Sequence, residues 1–241
     1  MNEDVIPRPP TPGEVRLYRA CRGVAVGLSR LFFPGRVVGL ENIPDTGPFI
    51  LAPVHRSYLD WLLVARVTRR RLRYMAKAEI WKSKLVGRII EALGAFPVHR
   101  SGADREALER CREVLAGGEP LVMFPEGTRR SGPVVEDLRE GVAYLALRSR
   151  VPVVPVGIGG SERAMPRGST FPKPSRISLV VGSPLEAPTD EAEDGGGGDG
   201  GSRSRARVSR RAMRELSDRI GAAIQQAYDE AERMQSGGSA H

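Results

Sequence analysis

The sequence is poor in several patterns and residue types, and each shortage excludes a class of protein. No run reaches the roughly twenty apolar residues that a membrane-spanning helix needs, so a membrane contact is expected only at its surface. Cys21 and Cys111 lie far apart and lack metal-ligand spacing, which excludes a disulfide framework and favours two reduced thiols. The acidic, proline-rich opening is unlike a secretory signal peptide.

Positive charge, by contrast, is in excess. The formal net charge is +8 and the sequence pI is about 10.1. This balance suits nucleic acid, anionic lipid head groups or phosphorylated ligands, and does not choose among them. With 241 residues, 40% of them hydrophobic, the chain can bury one substantial core. Because aromatic residues make up only 5%, aliphatic side chains must carry the packing.

Both ends of the chain are predicted to add helices to a central domain. Residues 1–34 form a tail and a basic amphipathic helix over 14–33, which either lies in a lipid interface or packs on the core. Residues 188–207 form a glycine-rich flexible linker. Residues 208–241 carry a second amphipathic helix over 208–234, which either docks on the core or lies on the membrane.

The central segment, residues 35–187, alternates short apolar runs with helical patterns. Strands are predicted at 36–40, 49–54, 73–76, 95–98, 121–124, 153–158 and 177–181, and helices at 59–70, 80–93, 103–115 and 138–148. Because parallel strands need long crossovers, this order predicts an α/β fold with a largely parallel mixed sheet flanked by helices.

The string His55-Arg-Ser-Tyr-Leu-Asp60 directly follows a predicted buried strand. A general base needs its imidazole held in one tautomer, and a carboxylate on the far ring nitrogen does this. The two side chains can meet if His55 lies in the strand-to-helix loop and Asp60 in the first helical turn. The alternative is a capping box, in which Ser57 accepts from the third helical amide and Asp60 reaches back to the cap amide.

A second polar block, FPEGTRR at 124–130, follows another predicted strand. Gly127 allows close backbone approach, and Thr128 offers a hydroxyl. Arg129 or Arg130 offers a guanidinium fork that suits phosphate oxygens. As a bare pattern, the block is also compatible with a simple polar turn.

A third block, GAFPVHR at 94–100, ends a predicted strand in Arg100, and we treat the adjacent His99 as non-catalytic. In open α/β sheets, ligands bind at the carboxyl ends of the strands. We therefore expect a base, a carboxylate and two arginines to converge at one edge of the sheet.

The blocks HRSYLD, GAFPVHR, FPEGTRR and VPVVPVGI, in this order and spacing, resemble the four motifs of the glycerolipid acyltransferase family. The resemblance runs from about residue 36 to residue 184 and leaves both ends uncovered. It implies transfer of a fatty acyl group from acyl-CoA or acyl carrier protein to the free hydroxyl of 1-acyl-glycerol 3-phosphate, in phospholipid biosynthesis. The thioester is a co-substrate, and neither a metal nor a redox cofactor is implied.

The resemblance also implies roles for individual residues. His55 and Asp60 match the catalytic dyad of the family, and Pro155 matches a proline that helps shape the acyl site. The residues that match phosphate- and glycerol-binding positions are Arg100, Glu126, Gly127, Thr128 and Arg129. The segment Gly94-Ala-Phe-Pro departs slightly from the usual hydrophobic pair, which affects the expected packing there and not the match of Arg100.

Other functions are compatible with parts of this pattern. Within the enzyme class, the acceptor could be glycerol 3-phosphate or another lysophospholipid, and water in its place would give a hydrolase. A non-catalytic, basic membrane-binding protein is the alternative from another class. Nucleic acid is not an expected partner, because no aromatic residues are interleaved with the basic ones for base stacking. We expect peripheral binding to an anionic membrane, at the cytoplasmic face of the cell membrane.

Overall fold

A seven-stranded sheet forms the centre of the protein. The computed structural model describes residues 11–98, 104–188 and 208–236. The strands are β1 (Val37–Val38), β2 (Ile50–Pro53), β3 (Arg73–Lys77), β4 (Ala95–Val98), β5 (Leu121–Val122), β6 (Val153–Gly159) and β7 (Ser178–Val181). The α-helices are α1 (Pro12–Phe32), α2 (Asp60–Leu63), α3 (Lys84–Ala92), α4 (Asp104–Ala116), α5 (Gly141–Ser149), α6 (Ser161–Ala164) and α7 (Arg210–Ser236). Short 3₁₀ turns cover Leu40–Asn42, Val64–Arg66 and Ala78–Lys82.

The strands lie in the order β1-β7-β6-β2-β5-β3-β4. Each neighbouring pair is parallel except β6 and β7, which run antiparallel. All residues of β2 and β6 are buried, as continuous apolar runs covered on both faces require. The predicted α/β class, a largely parallel mixed sheet flanked by helices, is confirmed.

Two predicted helices were wrong in their extent. The pattern at 59–70 gives only the four-residue α2 and a 3₁₀ turn. Its end is tied to the end of α1, because the buried Arg66 guanidinium donates to the carbonyls of Phe33 at 3.2 Å and Gly35 at 3.1 Å. The pattern at 80–93 breaks at Ser83, whose hydroxyl accepts a hydrogen bond from the Val86 amide and caps α3.

Helix α1 has two apolar faces with different surroundings. It begins with a reciprocal capping box between Thr11 and Glu14. One face is buried against the rest of the protein through Tyr18, Val26 and Ser29. The other face, which we call the α1 apolar stripe, is exposed and consists of Leu17, Val24, Leu28, Leu31 and Phe32. None of the described helices is long and apolar enough to cross a bilayer.

Helix α7 docks on the core, which decides between the two placements predicted for it. It lies across β6 and β7 and buries Leu216, Ile220, Ile224, Ala227, Tyr228 and Ala231. The linker predicted at 188–207 lies outside the described residues except for residue 188.

Two glycines of β6 let α7 approach backbone to backbone. A Cβ at Gly157 would come within 2.1 Å of the Ala227 carbonyl oxygen, and one at Gly159 within 2.4 Å of the Ala231 backbone. Gly157→Ala is therefore expected to lower the free energy of unfolding by about 1–3 kcal/mol, since overpacking forces the backbone to shift. Urea unfolding measures this change. Gly23→Ala in α1, where no atom lies within 4 Å of the added Cβ, is the control and should not destabilise.

Candidate active site

The carboxyl ends of β2 and β5 lie side by side, because these strands are parallel neighbours. The loop after β2 carries His55, and the loop after β5 carries the block from Glu126 to Arg129. The two loops are joined directly, since the Arg130 amide donates to the His55 carbonyl at 2.9 Å. Two of the three polar blocks predicted from the sequence thus meet at one edge of the sheet.

His55 and Asp60 form a hydrogen-bonded pair. His55 Nδ1 lies 3.0 Å from Asp60 Oδ2, and the Asp60 side chain is 0% exposed while that of His55 is 19% exposed. A buried carboxylate accepting from Nδ1–H fixes the tautomer that leaves Nε2 free to take a proton. The imidazole also stacks on the Phe124 ring at 4.1 Å between centroids, which further limits its rotation.

Asp60 orients His55 and also holds the loop that precedes α2. The same oxygen, Oδ2, accepts from the amides of Arg56 and Ser57, both at 2.7 Å. The capping box is only half formed, because the Ser57 hydroxyl accepts from the Leu59 amide at 3.3 Å and donates to the Met165 carbonyl at 3.0 Å. The two roles weighed for Asp60 are therefore compatible in a single geometry.

Sequence reasoning missed the buried ion pair beneath this dyad. Arg56 and Glu126 are each 1% exposed, and Arg56 Nη1 lies 2.5 Å from Glu126 Oε1. The other carboxylate oxygen, Oε2, accepts from the His55 amide at 2.8 Å. An arginine beside the histidine and an acid in the facing loop were the available signal, because opposite charges in adjacent strand-end loops can pair.

This arrangement places the Glu126 side chain among contacts within the protein. The resemblance implied contact with the phosphate or glycerol of a substrate. Both of its carboxylate oxygens are instead bonded within the protein, to the His55 amide and to Arg56, and the side chain is buried. Glu126 therefore holds the loop that carries His55, and its role toward phosphate or glycerol stays a prediction.

Arg56 connects the site to helix α7. Its Nε and Nη2 donate to the carbonyls of Gly132 at 3.0 Å and Val134 at 2.8 Å, in the loop before α5. Its guanidinium lies over the Tyr228 ring of α7, 5.2 Å from the centroid. Burial is the largest cause that raises the Tyr228 pKa above its ordinary value. The C-terminal helix therefore helps to hold the loops of the site.

The remainder of the second block is more open. Gly127 has φ of +65°, and a Cβ there would come within 2.5 Å of the Arg139 side chain. Thr128 is exposed. The Arg129 guanidinium stacks on the Tyr58 ring, 3.3 Å from its centroid, and its buried Nη1 has no hydrogen-bond partner in the described part of the chain.

Arg129 and Arg130 differ in their partners. Arg130 Nη2 is paired with Asp137 Oδ2 at 3.0 Å. Each arginine keeps one buried donor without a partner among the described residues, Nη1 in Arg129 and Nε in Arg130. Because Arg130 is already paired with Asp137, Arg129 is the better candidate of the two for binding a phosphate oxygen.

Of the two other predicted site residues, one lies inside a strand and one lies beyond the described ranges. Pro155 is buried inside β6 and is paired in register with Ala52 of β2. Its role at an acyl site stays a prediction. Arg100 and His99 lie outside the described residues, and the role of Arg100 also stays a prediction.

The geometry defines a general-base site with a guanidinium nearby. An oriented imidazole can accept a proton from a hydroxyl, and a basic side chain can align a phosphorylated substrate. Within residues 11–98, 104–188 and 208–236, no group of three or more histidine, cysteine or acidic side chains is placed to hold a metal ion.

This fold and site are those of an acyltransferase, and comparison with known proteins agrees. The family model described as Acyltransferase matches residues 35–159, just over half of the chain, so the protein belongs to the acyltransferase family.

Three of the relatives are named as 1-acyl-sn-glycerol-3-phosphate acyltransferases. The chain is 28% identical over 170 residues to 1-acyl-sn-glycerol-3-phosphate acyltransferase of Bacillus subtilis (strain 168), covering 70% of this chain and 82% of that protein. It is 32% identical over 149 residues to the protein of the same name from Streptococcus pneumoniae. That match covers 61% of this chain and 53% of the other protein. It spans 41% of the length of the chloroplastic relative BAT2 of Brassica napus, at 28% identity over 57% of this chain.

A solved structure shares the fold. The crystal structure of the 1-acyl-sn-glycerophosphate (LPA) acyltransferase PlsC from Thermotoga maritima superposes with a TM-score of 0.63. The match covers 94% of this chain and 80% of that chain at 22% sequence identity. It supports the mostly parallel sheet and the helices at both ends.

Proposed function

We propose that the protein transfers a fatty acyl group from an acyl thioester to the free hydroxyl of 1-acyl-glycerol 3-phosphate, giving phosphatidic acid. The observation that carries this proposal is the 3.0 Å contact of His55 Nδ1 with the buried Asp60 carboxylate, beside the loop of Arg129. The names of the relatives from Bacillus subtilis and Streptococcus pneumoniae support the acceptor. The donor is acyl-CoA or acyl carrier protein.

In the proposed reaction, His55 Nε2 takes the proton of the acceptor hydroxyl as the hydroxyl oxygen attacks the thioester carbonyl carbon. Asp60 stabilises the imidazolium that forms. When the tetrahedral intermediate collapses, the carbon–sulfur bond breaks and the leaving thiolate takes the proton back from His55. A thioester is already activated, so this chemistry asks for neither a metal nor a redox cofactor.

The position of Ser57 supports direct transfer without an acyl-enzyme. This serine is 0% exposed, and its hydroxyl is bonded to the Met165 carbonyl and the Leu59 amide. A buried, doubly bonded hydroxyl is a poor nucleophile for a lipid thioester.

The test is an assay that pairs each acceptor with each donor. Purified protein is offered lysophosphatidate, glycerol 3-phosphate or another lysophospholipid, with acyl-CoA or acyl carrier protein. The proposal expects the highest kcat/KM for lysophosphatidate. Faster transfer to glycerol 3-phosphate, or release of free fatty acid in place of transfer, would contradict the proposed acceptor.

Arg129→Ala is expected to lower kcat/KM for the acceptor by about tenfold to a hundredfold, because a charge-assisted contact with the phosphate is lost. Kinetics with varied acceptor at saturating donor measure this. Arg129→Lys should restore only part of it, since the planar fork is lost. The matched control is Arg130→Ala, which removes the arginine paired with Asp137 and should change acceptor dependence much less. Equal effects at both positions would mean that the phosphate is held elsewhere.

We also propose that the protein binds peripherally to an anionic membrane. Besides the α1 apolar stripe, helix α3 exposes Leu85, Val86 and Ile89. Exposed cations on and beside α3 (Lys82, Lys84 and Arg88) add the charge that anionic lipid attracts. An apolar surface bordered by cations suits a lipid interface. The side of the membrane is proposed to be cytoplasmic, where the thioester donors are made.

Leu28→Ser with Leu31→Ser is expected to weaken partitioning onto anionic vesicles by about tenfold or more, because two apolar side chains lose lipid contact. Both residues are exposed, so folding should be preserved. Co-sedimentation with vesicles measures the change. Phe171→Ser removes an apolar side chain elsewhere that is more exposed than either leucine, and is the control. Unchanged partitioning of the double variant would show that the α1 apolar stripe does not meet lipid.

A further inference from the structure

A second basic site lies apart from the His55–Asp60 pair. A cleft of about 430 Å³ opens between α1 and the chain that follows α2. Four arginines line it: Arg22, Arg30, Arg66 and Arg69. We call it the arginine cleft. Neither His55, Asp60 nor Arg129 belongs to its lining.

The arginine cleft gathers positive charge without a matching acid, since its described lining contains no aspartate or glutamate. Burial lowers the Arg22 pKa from its ordinary value, and Arg69 and Arg30 lower it further against the opposing effect of Tyr18. Burial and then Arg30 lower the Arg66 pKa in the same way. The cations thus destabilise one another, and a bound anion would relieve this repulsion.

Two of these arginines have a buried Nε without a partner among the described residues. Arg66 is 5% exposed, and its Nη1 and Nη2 are bonded to backbone carbonyls, but its Nε has no partner among the described residues. Arg22 has one bond, from Nη2 to the Ala65 carbonyl at 2.8 Å, and its buried Nε is also unpaired. A buried donor without a partner is unfavourable, so an acceptor that reached either arginine would be stabilising there.

The wall of the arginine cleft leaves room for a ligand. Gly23 and Gly27 form part of the α1 wall, and a Cβ at either position would meet no atom within 4 Å. The half-exposed Leu40 also lines the cleft and offers an apolar surface to a ligand. The same helix carries the α1 apolar stripe on another face. One helix therefore offers apolar side chains that can contact lipid tails and arginines that can contact an anion.

We propose that the arginine cleft binds the phosphate group of an anionic lipid head group, as a site separate from the one that binds the acceptor. Guanidinium groups suit phosphate oxygens because they present paired donors at a fixed spacing. That the phosphate belongs to a lipid rests on the membrane association proposed above, whereas binding of a phosphate group as such does not. Helix α2 begins at Asp60, and the 3₁₀ turn that carries Arg66 follows it directly. A head group bound at Arg66 would therefore anchor the short segment that begins at Asp60.

The experiment compares two double variants that lose the same charge from the chain. Arg30→Gln with Arg69→Gln removes two exposed cations of the arginine cleft, whereas Arg16→Gln with Arg19→Gln removes two exposed cations of α1 outside it. Binding to phosphatidylcholine vesicles with and without phosphatidylglycerol is measured at fixed ionic strength, and thermal melts confirm folding. The cleft variant should lose about tenfold more affinity for the anionic vesicles than the control variant. Replacing the same two arginines with lysine should restore part of the binding.

A second arm separates lipid from free phosphate. Inorganic phosphate is titrated against chloride at constant ionic strength, with vesicle binding and the Tm of the lipid-free protein as readouts. Displacement of the wild-type protein from anionic vesicles by phosphate supports the proposal. Equal loss of binding in both double variants overturns it, since the contribution would be general surface charge. A phosphate-dependent rise in Tm that needs Arg30 and Arg69, with vesicle binding unchanged, also overturns the lipid assignment.

The outcome is distinguishable from failure of the proposed reaction. Acyl transfer to detergent-dispersed lysophosphatidate is measured on the same variants, and the cleft variant should keep wild-type turnover. If the wild-type protein shows no transfer while the cleft variant alone loses vesicle binding, the reaction is wrong and the cleft assignment stands.

Discussion

Asp60→Asn is expected to lower kcat by about a hundredfold or more at saturating donor and acceptor, as in other enzymes where a carboxylate holds a histidine. The asparagine can still accept from the Arg56 and Ser57 amides. Its NH₂ group, however, can donate to His55 Nδ1, which favours the tautomer that carries its proton on Nε2 and cannot act as the base. His55→Ala should be at least as severe. The double variant should be little worse than His55→Ala alone, because residues that act as one unit are not additive.

The structure adds a stability effect to this prediction, because Asp60 Oδ2 also accepts two backbone amides at 2.7 Å. Asp60→Asn should therefore also lower the free energy of unfolding, by up to about 2 kcal/mol. Ser57→Ala is the matched control, since it removes the cap on the Leu59 amide and leaves the dyad in place. It should lower Tm and keep kcat within a few fold. An Asp60→Asn protein with wild-type turnover would leave Asp60 only its role in holding the Arg56 and Ser57 amides.

The sequence was a good guide to the dyad because its cues are local. A buried apolar strand, a short loop and the first turn of a helix fix where His55 and Asp60 lie relative to each other. The adjoining carboxyl ends of β2 and β5 follow from the parallel class, which strand–helix alternation indicates. The contact between the His55 loop and the Glu126 loop is a consequence of that topology.

Contacts between distant parts of the chain were not predictable in the same way. Arg56 is separated from Glu126 by 70 positions and from Tyr228 by many more, and periodicity carries no information about which of them it meets. Its neighbours depend on how α7 docks over β6, which Gly157 and Gly159 allow. The short α2 was also missed, because the apolar period continues while Arg66 bonds to carbonyls outside the helix.

Glu126→Gln is expected to separate support of the dyad from substrate binding. Removing its charge leaves the buried Arg56 guanidinium without a counter-ion, and breaking a buried ion pair costs about 3–5 kcal/mol. Because Glu126 Oε2 also holds the His55 amide, kcat should fall, with little change in the KM for the acceptor. A direct contact with phosphate or glycerol predicts the opposite, a raised acceptor KM with stability nearly unchanged.

The pair of Arg71 with Glu119 provides the control for this comparison. It is an ion pair of 3.2 Å in which both side chains are mostly buried, and it lies away from the His55 loop. Glu119→Gln should lower stability without changing kcat. A double-mutant cycle of Arg56→Met and Glu126→Gln, followed by urea unfolding, should show a coupling of about 0.5–3 kcal/mol, since each residue leaves the other unpaired. A Glu126→Gln protein with normal stability and a raised acceptor KM would return Glu126 to the substrate-binding role that the family resemblance implied.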